Sequence, residues 1–171
     1  MIKTELLKDH LTLLFVGFNP SPTSARTGWN YSGPNNRFYR ILAEAGLTNR
    51  LFQPSENRLL FDEYNYGFTN LVARPTPRAS DVTTAEYRKG AEQLRQTLLR
   101  YQPKFTCFVG KGVYQQFVRK QKIEWGFQSY AIEGIHTAFF VGPGTSGLVR
   151  MKLQEQVDIY RILALRMKNA R

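Results

Sequence analysis

Four short apolar runs, at residues 11–18, 66–72, 104–109 and 135–141, constrain this 171-residue chain more than any other feature. Each is rich in β-branched or aromatic side chains and is bounded by Gly, Pro or Asn, the pattern of a buried strand. Segments of helical period separate them. Phe38, Ile41, Leu42 and Ala45 recur at i, i+3, i+4 and i+7, and Gly46 is placed to end that helix. Tyr87, Ala91, Leu94, Leu98 and Tyr101 step by three or four residues from about Thr84. Thr83 or Thr84 can cap that helix, and Pro103 breaks its pattern. A last helix from near Met151 sets Leu153, Val157, Tyr160 and Ala164 on one face, and Asp62-Glu63 lie near the end of a surface helix. This alternation predicts an α/β fold, a three-layer α/β/α sandwich around a mostly parallel central sheet, with residues 1–171 forming one domain. In such a sheet, ligands meet the loops leaving the carboxyl ends of the strands. Two loops rich in Gly, Pro, Ser and Asn, residues 19–36 and 142–150, occupy such places.

Charge narrows the partner. Twenty-four Lys and Arg against 13 Asp and Glu leave a net charge of +11, which favours an anionic polymer and nucleic acid first. Cys107, the only cysteine, lies in the third apolar run; a single buried thiol points to a reducing, cytoplasmic setting. No apolar stretch approaches the ~20 residues that cross a bilayer. The first ten residues mix Lys3, Glu5, Lys8 and Asp9 where an export signal needs an apolar centre. Neither export nor membrane insertion is expected.

The absences exclude several chemistries. With only His10, His136 and Cys107, the chain has no zinc-spaced cluster and no nucleophilic triad pattern. Gly110-Lys111-Gly112 lacks the remainder of a phosphate loop. Acidic residues are scattered singly apart from Asp62-Glu63, so a two-metal nuclease has no obvious ligands. No metal and no redox cofactor is expected.

The first rich loop combines a carboxamide at Asn19, a hydroxyl at Ser24 and rings at Trp29 and Tyr31 with turn-forming glycines. Such groups hold a small polar ring or orient a water molecule. They serve equally in a structural loop whose Asn and Ser satisfy their own backbone. The sequence carries more than composition here. Gly17-Phe18-Asn19-Pro20, Thr27-Gly28, Tyr31 and Gly33-Pro34-x-Asn36-Arg37-Phe38 resemble the first motif of the mismatch-specific uracil and thymine DNA glycosylases, family 2 of the uracil-DNA glycosylase superfamily. Gly67-Phe68-Thr69-Asn70-Leu71-Val72-x-Arg74-Pro75-Thr76 is similar to that family's second-strand segment, and Tyr101-Gln102-Pro103 with Val109-Gly110-Lys111 to its third. Residues 143–150 fall where the family carries its DNA-penetrating loop. The likeness is colinear over about Leu11 to Tyr160.

The resemblance implies a monofunctional enzyme that extrudes uracil, or a related pyrimidine, from mismatched double-stranded DNA and hydrolyses its glycosidic bond to leave an abasic site. It implies that Asn19 orients the attacking water, Tyr31 stacks on the base and Asn70 contacts its edge. Backbone N–H groups around Phe18 and Ser24 would stabilise charge on the departing ring, with Ser24 also touching it. Leu148 would fill the vacated stack, flanked by Ser146, Gly147 and Arg150 against the DNA. Arg37 and Lys111, with Arg26 and Arg74, would meet phosphates. The enzyme is expected to act as a monomer. Two positions depart from the pattern: Gly144-Thr145 replaces the Asn-Pro that many bacterial relatives carry, and Asn30 stands where some thymine-active relatives carry His. Two other functions fit the same residues, a catalytically silent binder of damaged DNA and a hydrolase of free nucleosides or nucleotides.

Overall fold

The computed structural model describes residues 2–170, and the four apolar runs form the parallel strands of its sheet. These strands are β1 (Leu13–Gly17), β2 (Tyr66–Asn70), β3 (Phe105–Val109) and β5 (Ala138–Gly142). The two-residue β4 (Gly126–Phe127) pairs antiparallel with β5 at one edge, giving the order β2-β1-β3-β5-β4. Along β1, Leu13 and Phe15 enter one core and Leu14 and Val16 the other. All five β1 residues are buried, as expected of a central strand covered on both faces.

Helices complete the layers. One face packs beneath α2 (Phe38–Ala45) and α6 (Leu153–Asn169), and the other beneath α4 (Thr84–Tyr101) and α5 (Lys111–Val118). The α/β sandwich predicted from the sequence is the one observed. Gly46 ends α2 in the left-handed conformation, at φ 86°, and Thr83 caps α4 in a reciprocal box with Glu86. The surface helix near Asp62-Glu63 is α3 (Asn57–Tyr64).

Boundaries and small elements differ from the sequence expectation. The first strand starts later and the second ends sooner than their apolar runs, because Leu11, Leu71 and Val72 are buried in the α4 core outside the ladder. The last run begins in a turn, where Ile135 bridges only to Ile132 before β5 starts. The final helix starts at Leu153, two residues beyond the predicted Met151. The periodicity also misses the six-residue α1 (Pro22–Thr27) and the glycine-bearing α5.

Register sets the position of the loops. Gly17 lies opposite Asn70 and Val109 opposite Gly142, so the parallel strands end together along one edge. Among the described residues, no helix is long and apolar enough to cross a membrane.

Phe15 anchors the core beneath that edge, edge-on to Phe38 at 5.0 Å and stacked on Phe68 at 5.6 Å. Phe15→Ala is expected to lower the unfolding free energy by about 3–5 kcal/mol in urea titrations. A loss below about 1 kcal/mol would contradict this packing.

Candidate active site

A cavity of about 190 Å³ opens where β1 and β2 end. Its wall is formed by Asn19, Pro20, Ser21, Ser24, Asn30, Tyr31, Ser32, Gly33, Asn36 and Asn70. It is smaller than the roughly 300–1,000 Å³ of clefts that hold drug-sized ligands, and it suits a single ring. A larger groove of about 640 Å³ touches Tyr66, the first residue of β2, and so lies at the opposite end of the sheet from the functional loops.

Asn19 lies just past the last residue of β1, and its amide nitrogen has two partners. Nδ2 donates to the Arg74 carbonyl at 2.8 Å and to Thr76 Oγ1 at 2.7 Å. A carbonyl oxygen only accepts, so the nitrogen must face Arg74. With both amide hydrogens engaged, Oδ1 is the free end, and it accepts no hydrogen bond among the described residues. The side chain is therefore a fixed acceptor on the cavity wall, suited to holding a water by one of its hydrogens.

Tyr31 sits at φ 54°, a left-handed conformation that costs a non-glycine residue energy and is concentrated at functional loops. Its ring stacks on Phe38 with centroids 4.0 Å apart and planes 11° apart, which fixes its plane at the cavity. Burial pushes its hydroxyl pKa well above the ordinary tyrosine range, with smaller contributions from buried Cys107 and Tyr39. No other wall residue has a titratable side chain, so the cavity is electrically neutral around pH 7. Asn70 projects across the end of β1: a Cβ at Gly17 would lie 2.7 Å from its Oδ1 and 3.1 Å from the Tyr31 hydroxyl. Among the described residues its carboxamide makes no side-chain hydrogen bond, leaving both donor and acceptor for a ligand edge.

Ser24 is buried and its hydroxyl lies 2.9 Å from that of Ser32. Its backbone N–H, expected to face a departing base, instead donates to Ser21 Oγ at the cap of α1. Asn30 also reaches the wall, yet its amide donates to the Thr4 carbonyl and its own carbonyl accepts from the Tyr39 hydroxyl. The residue standing where some relatives carry His is thus a structural tie.

The second rich loop lies beside the first. Gly33 and Asn36 line both the cavity and a shallow recess completed by Ser146, Gly147 and Leu148. Gly147 allows that contact, because a Cβ there would come within 2.7 Å of Asn35 Cβ and 2.9 Å of its carbonyl oxygen. Leu148 projects outward with 92% of its surface exposed. A large apolar side chain so displayed is unlike the core leucines and fits contact with a partner. Ser146 and Arg150 are exposed next to it.

Several residues expected at DNA or base also make scaffold contacts. Arg37 Nη1 donates to the Met151 carbonyl and to Gln156 Oε1, at 3.1 and 3.0 Å. Gln156, fully buried in α6, donates in turn to the Gly144 carbonyl. The Nη1 end of the guanidinium therefore ties the two loops together. Phe18 is absent from the cavity wall; its ring packs over Gly112 in α5 and edge-on to Tyr87. Arg74 pairs with Glu86 at 2.6 Å, and the guanidinium holds that carboxyl at about 2. Because the folded pKa is depressed, this support is complete above the ordinary value of 4.5 and is lost as pH falls toward 2. Lys111 lies 4.2 Å over the Trp125 ring. Thr76 and Gln156 carry hydrogen bonds that sequence reasoning missed; the former stands inside a recognised motif, and the latter has no signal in a helical pattern.

With this geometry in view, the sequence profile of the Uracil DNA glycosylase superfamily matches residues 4–164. The chain belongs to that superfamily. A solved structure from Methanosarcina acetivorans, provisionally described as a uracil DNA glycosylase, superimposes with a TM-score of 0.63 at 19% identity. The match covers 96% of this chain and 95% of that one, and it establishes the shared fold. Among the described residues, no three His, Cys, Asp or Glu side chains gather as a metal site in this superfamily member.

Gly17→Ala tests the crossing of Asn70 and Tyr31 at the end of β1. The added methyl group meets side-chain ends that can move, so the melting temperature should fall by no more than about 5 °C. Catalytic efficiency on uracil-containing duplex should fall at least about tenfold as both wall residues shift. Unchanged efficiency would contradict the placement of these side chains.

Proposed function

We propose that this superfamily member hydrolyses the N-glycosidic bond of uracil in mismatched double-stranded DNA, by extruding the base and directing a water at the sugar. The observation that carries the proposal is the Asn19 carboxamide, locked with its oxygen free on the wall of a neutral, single-ring cavity. Tyr31 offers a rigid stacking face to the extruded pyrimidine, and the unpaired Asn70 amide reads its edge. Leu148, beside the cavity and outside the core, replaces the lost stacking partner in the helix. Arg150 and Ser146 stand where they meet the DNA around that wedge.

In this mechanism the bond from the base nitrogen to C1′ breaks with its electron pair going to the base. The water held by Asn19 Oδ1 then bonds through its oxygen to C1′ and releases a proton to solvent. The departing base is protonated and leaves an abasic site. A carboxamide positions water without removing its proton as a carboxylate does, so turnover is modest. The motif resemblance supports membership of the mismatch-specific branch and a substrate range that includes thymine and other damaged pyrimidines. A free nucleoside would need neither the exposed Leu148 nor the net charge of +11.

An oligonucleotide panel in EDTA tests the class: uracil or thymine opposite guanine, uracil opposite adenine, and single-stranded uracil, each followed by alkali. Cleavage at the uracil positions is expected, and intact strands throughout would leave only a DNA-binding role. Leu148→Ala should slow duplex processing about tenfold while changing the single-strand rate less than about twofold. Equal losses on both would reject the wedge. Because the wall carries no group that titrates near neutrality, single-turnover base release should vary less than about threefold between about pH 6 and 9. A sharp rise with the slope of one ionisation would point to a base outside this account.

A further inference from the structure

Thr76 is buried, 4% exposed, and does not line the cavity. Its hydroxyl nevertheless sets a chemical direction. Thr76 Oγ1 donates its only hydrogen to the Arg78 carbonyl at 2.6 Å, so the oxygen can only accept from its other neighbour, Asn19 Nδ2 at 2.7 Å. The Arg74 carbonyl supplies a second acceptor to the same nitrogen at 2.8 Å. The Thr76 N–H donates to the Pro20 carbonyl, tying the segment to the residue after Asn19. A flipped carboxamide would place its oxygen against two groups that offer no hydrogen.

The segment carrying these acceptors is itself braced. Arg74 binds Glu86 through Nε and Nη2 at 2.6 and 3.1 Å, and Nη2 also reaches the Asp81 carbonyl. Glu86 belongs to the capping box of α4. An ordered chain of contacts therefore runs from the start of a long helix, through an exposed turn, to one side-chain amide at the cavity.

We infer that Thr76 is a positioning residue for base release: its hydroxyl, oriented by the Arg78 carbonyl, locks the Asn19 carboxamide so that Oδ1 faces the reacting water. This rests on the glycosylase reading above and adds to it the group that decides which end of the amide meets the water. Replacing the hydroxyl with a methyl group leaves Nδ2 half-satisfied and lets the amide rotate, while the cavity wall keeps its residues.

The test compares Thr76→Val, Thr76→Ser and Thr76→Ala, alone and in an Asn19→Ala background, by single-turnover base release from a uracil:guanine duplex. Binding is measured in parallel on a duplex carrying 2′-fluoro-2′-deoxyuridine, whose electron-withdrawing fluorine resists bond cleavage. Thr76→Val should slow release about tenfold with the dissociation constant changed less than about twofold, and Thr76→Ser should restore the rate to within about threefold. With Asn19 already replaced, Thr76→Val should change the residual rate less than about twofold, because the group it positions is gone. If Thr76→Val does not fold, Thr76→Ala carries the same expectation. Wild-type rates in the Val and Ala variants, a Ser variant as slow as Val, an undiminished effect without Asn19, or matched losses in binding and rate would each overturn the inference. An Asn19→Ala enzyme at full speed would defeat the functional reading and this inference together; normal dependence on Asn19 with no dependence on Thr76 would defeat the inference alone.

Discussion

The parallel register of the sheet is the constraint on which the remaining geometry depends. Because β1 and β2 stop together at Gly17 and Asn70, and β3 and β5 at Val109 and Gly142, the connecting segments leave from one edge. A one-residue slip of β1 would exchange the faces of its side chains and send Phe15 and Val16 into each other's cores. The alternating apolar residues thus fix more than stability. They decide that the Asn19 loop and the Asn70 carboxamide share a wall.

Beyond that edge the loops contain too little apolar surface to hold themselves in place, and hydrogen bonds substitute for packing. Asn30 ties the first loop to Thr4, Asn57 and Tyr39, while Arg37 and Gln156 tie it to the second. Nearly all of these bonds end on uncharged groups, so the cavity they enclose is polar and neutral. Charge developing on a departing ring would meet fixed dipoles in place of mobile water, the arrangement that gives electrostatic preorganisation its large effect. Arg37 and Arg74 belong to this scaffold, while Arg150 stands exposed beside Leu148.

The sandwich was legible because strand and helix periods differ and each buried run was long enough to show its own. The cavity and the recess beside it were legible to the extent that their residues sit in unusual local sequences: Asn19 before proline, Tyr31 among glycines, and Leu148 after Ser-Gly. What escaped was direction. Nothing in the sequence tells that the Arg37 guanidinium turns inward to Met151, 114 residues away, or that the Phe18 ring lies over Gly112. The helix α5 was hidden for the same reason, since its second residue is a glycine required by that ring. Thr76 was visible in a motif, but its role depends on two carbonyls that only the folded backbone brings to it.

The central claim is that one amide oxygen holds the attacking water, and a crystal structure of the protein on the fluorinated uracil duplex tests it most directly. The account predicts an ordered water about 2.8 Å from Asn19 Oδ1 and aligned with C1′, with the base against Tyr31 and the amide nitrogen still on Arg74 and Thr76. A base left stacked in the duplex, or a water aligned with C1′ but held by a different side chain, would contradict it.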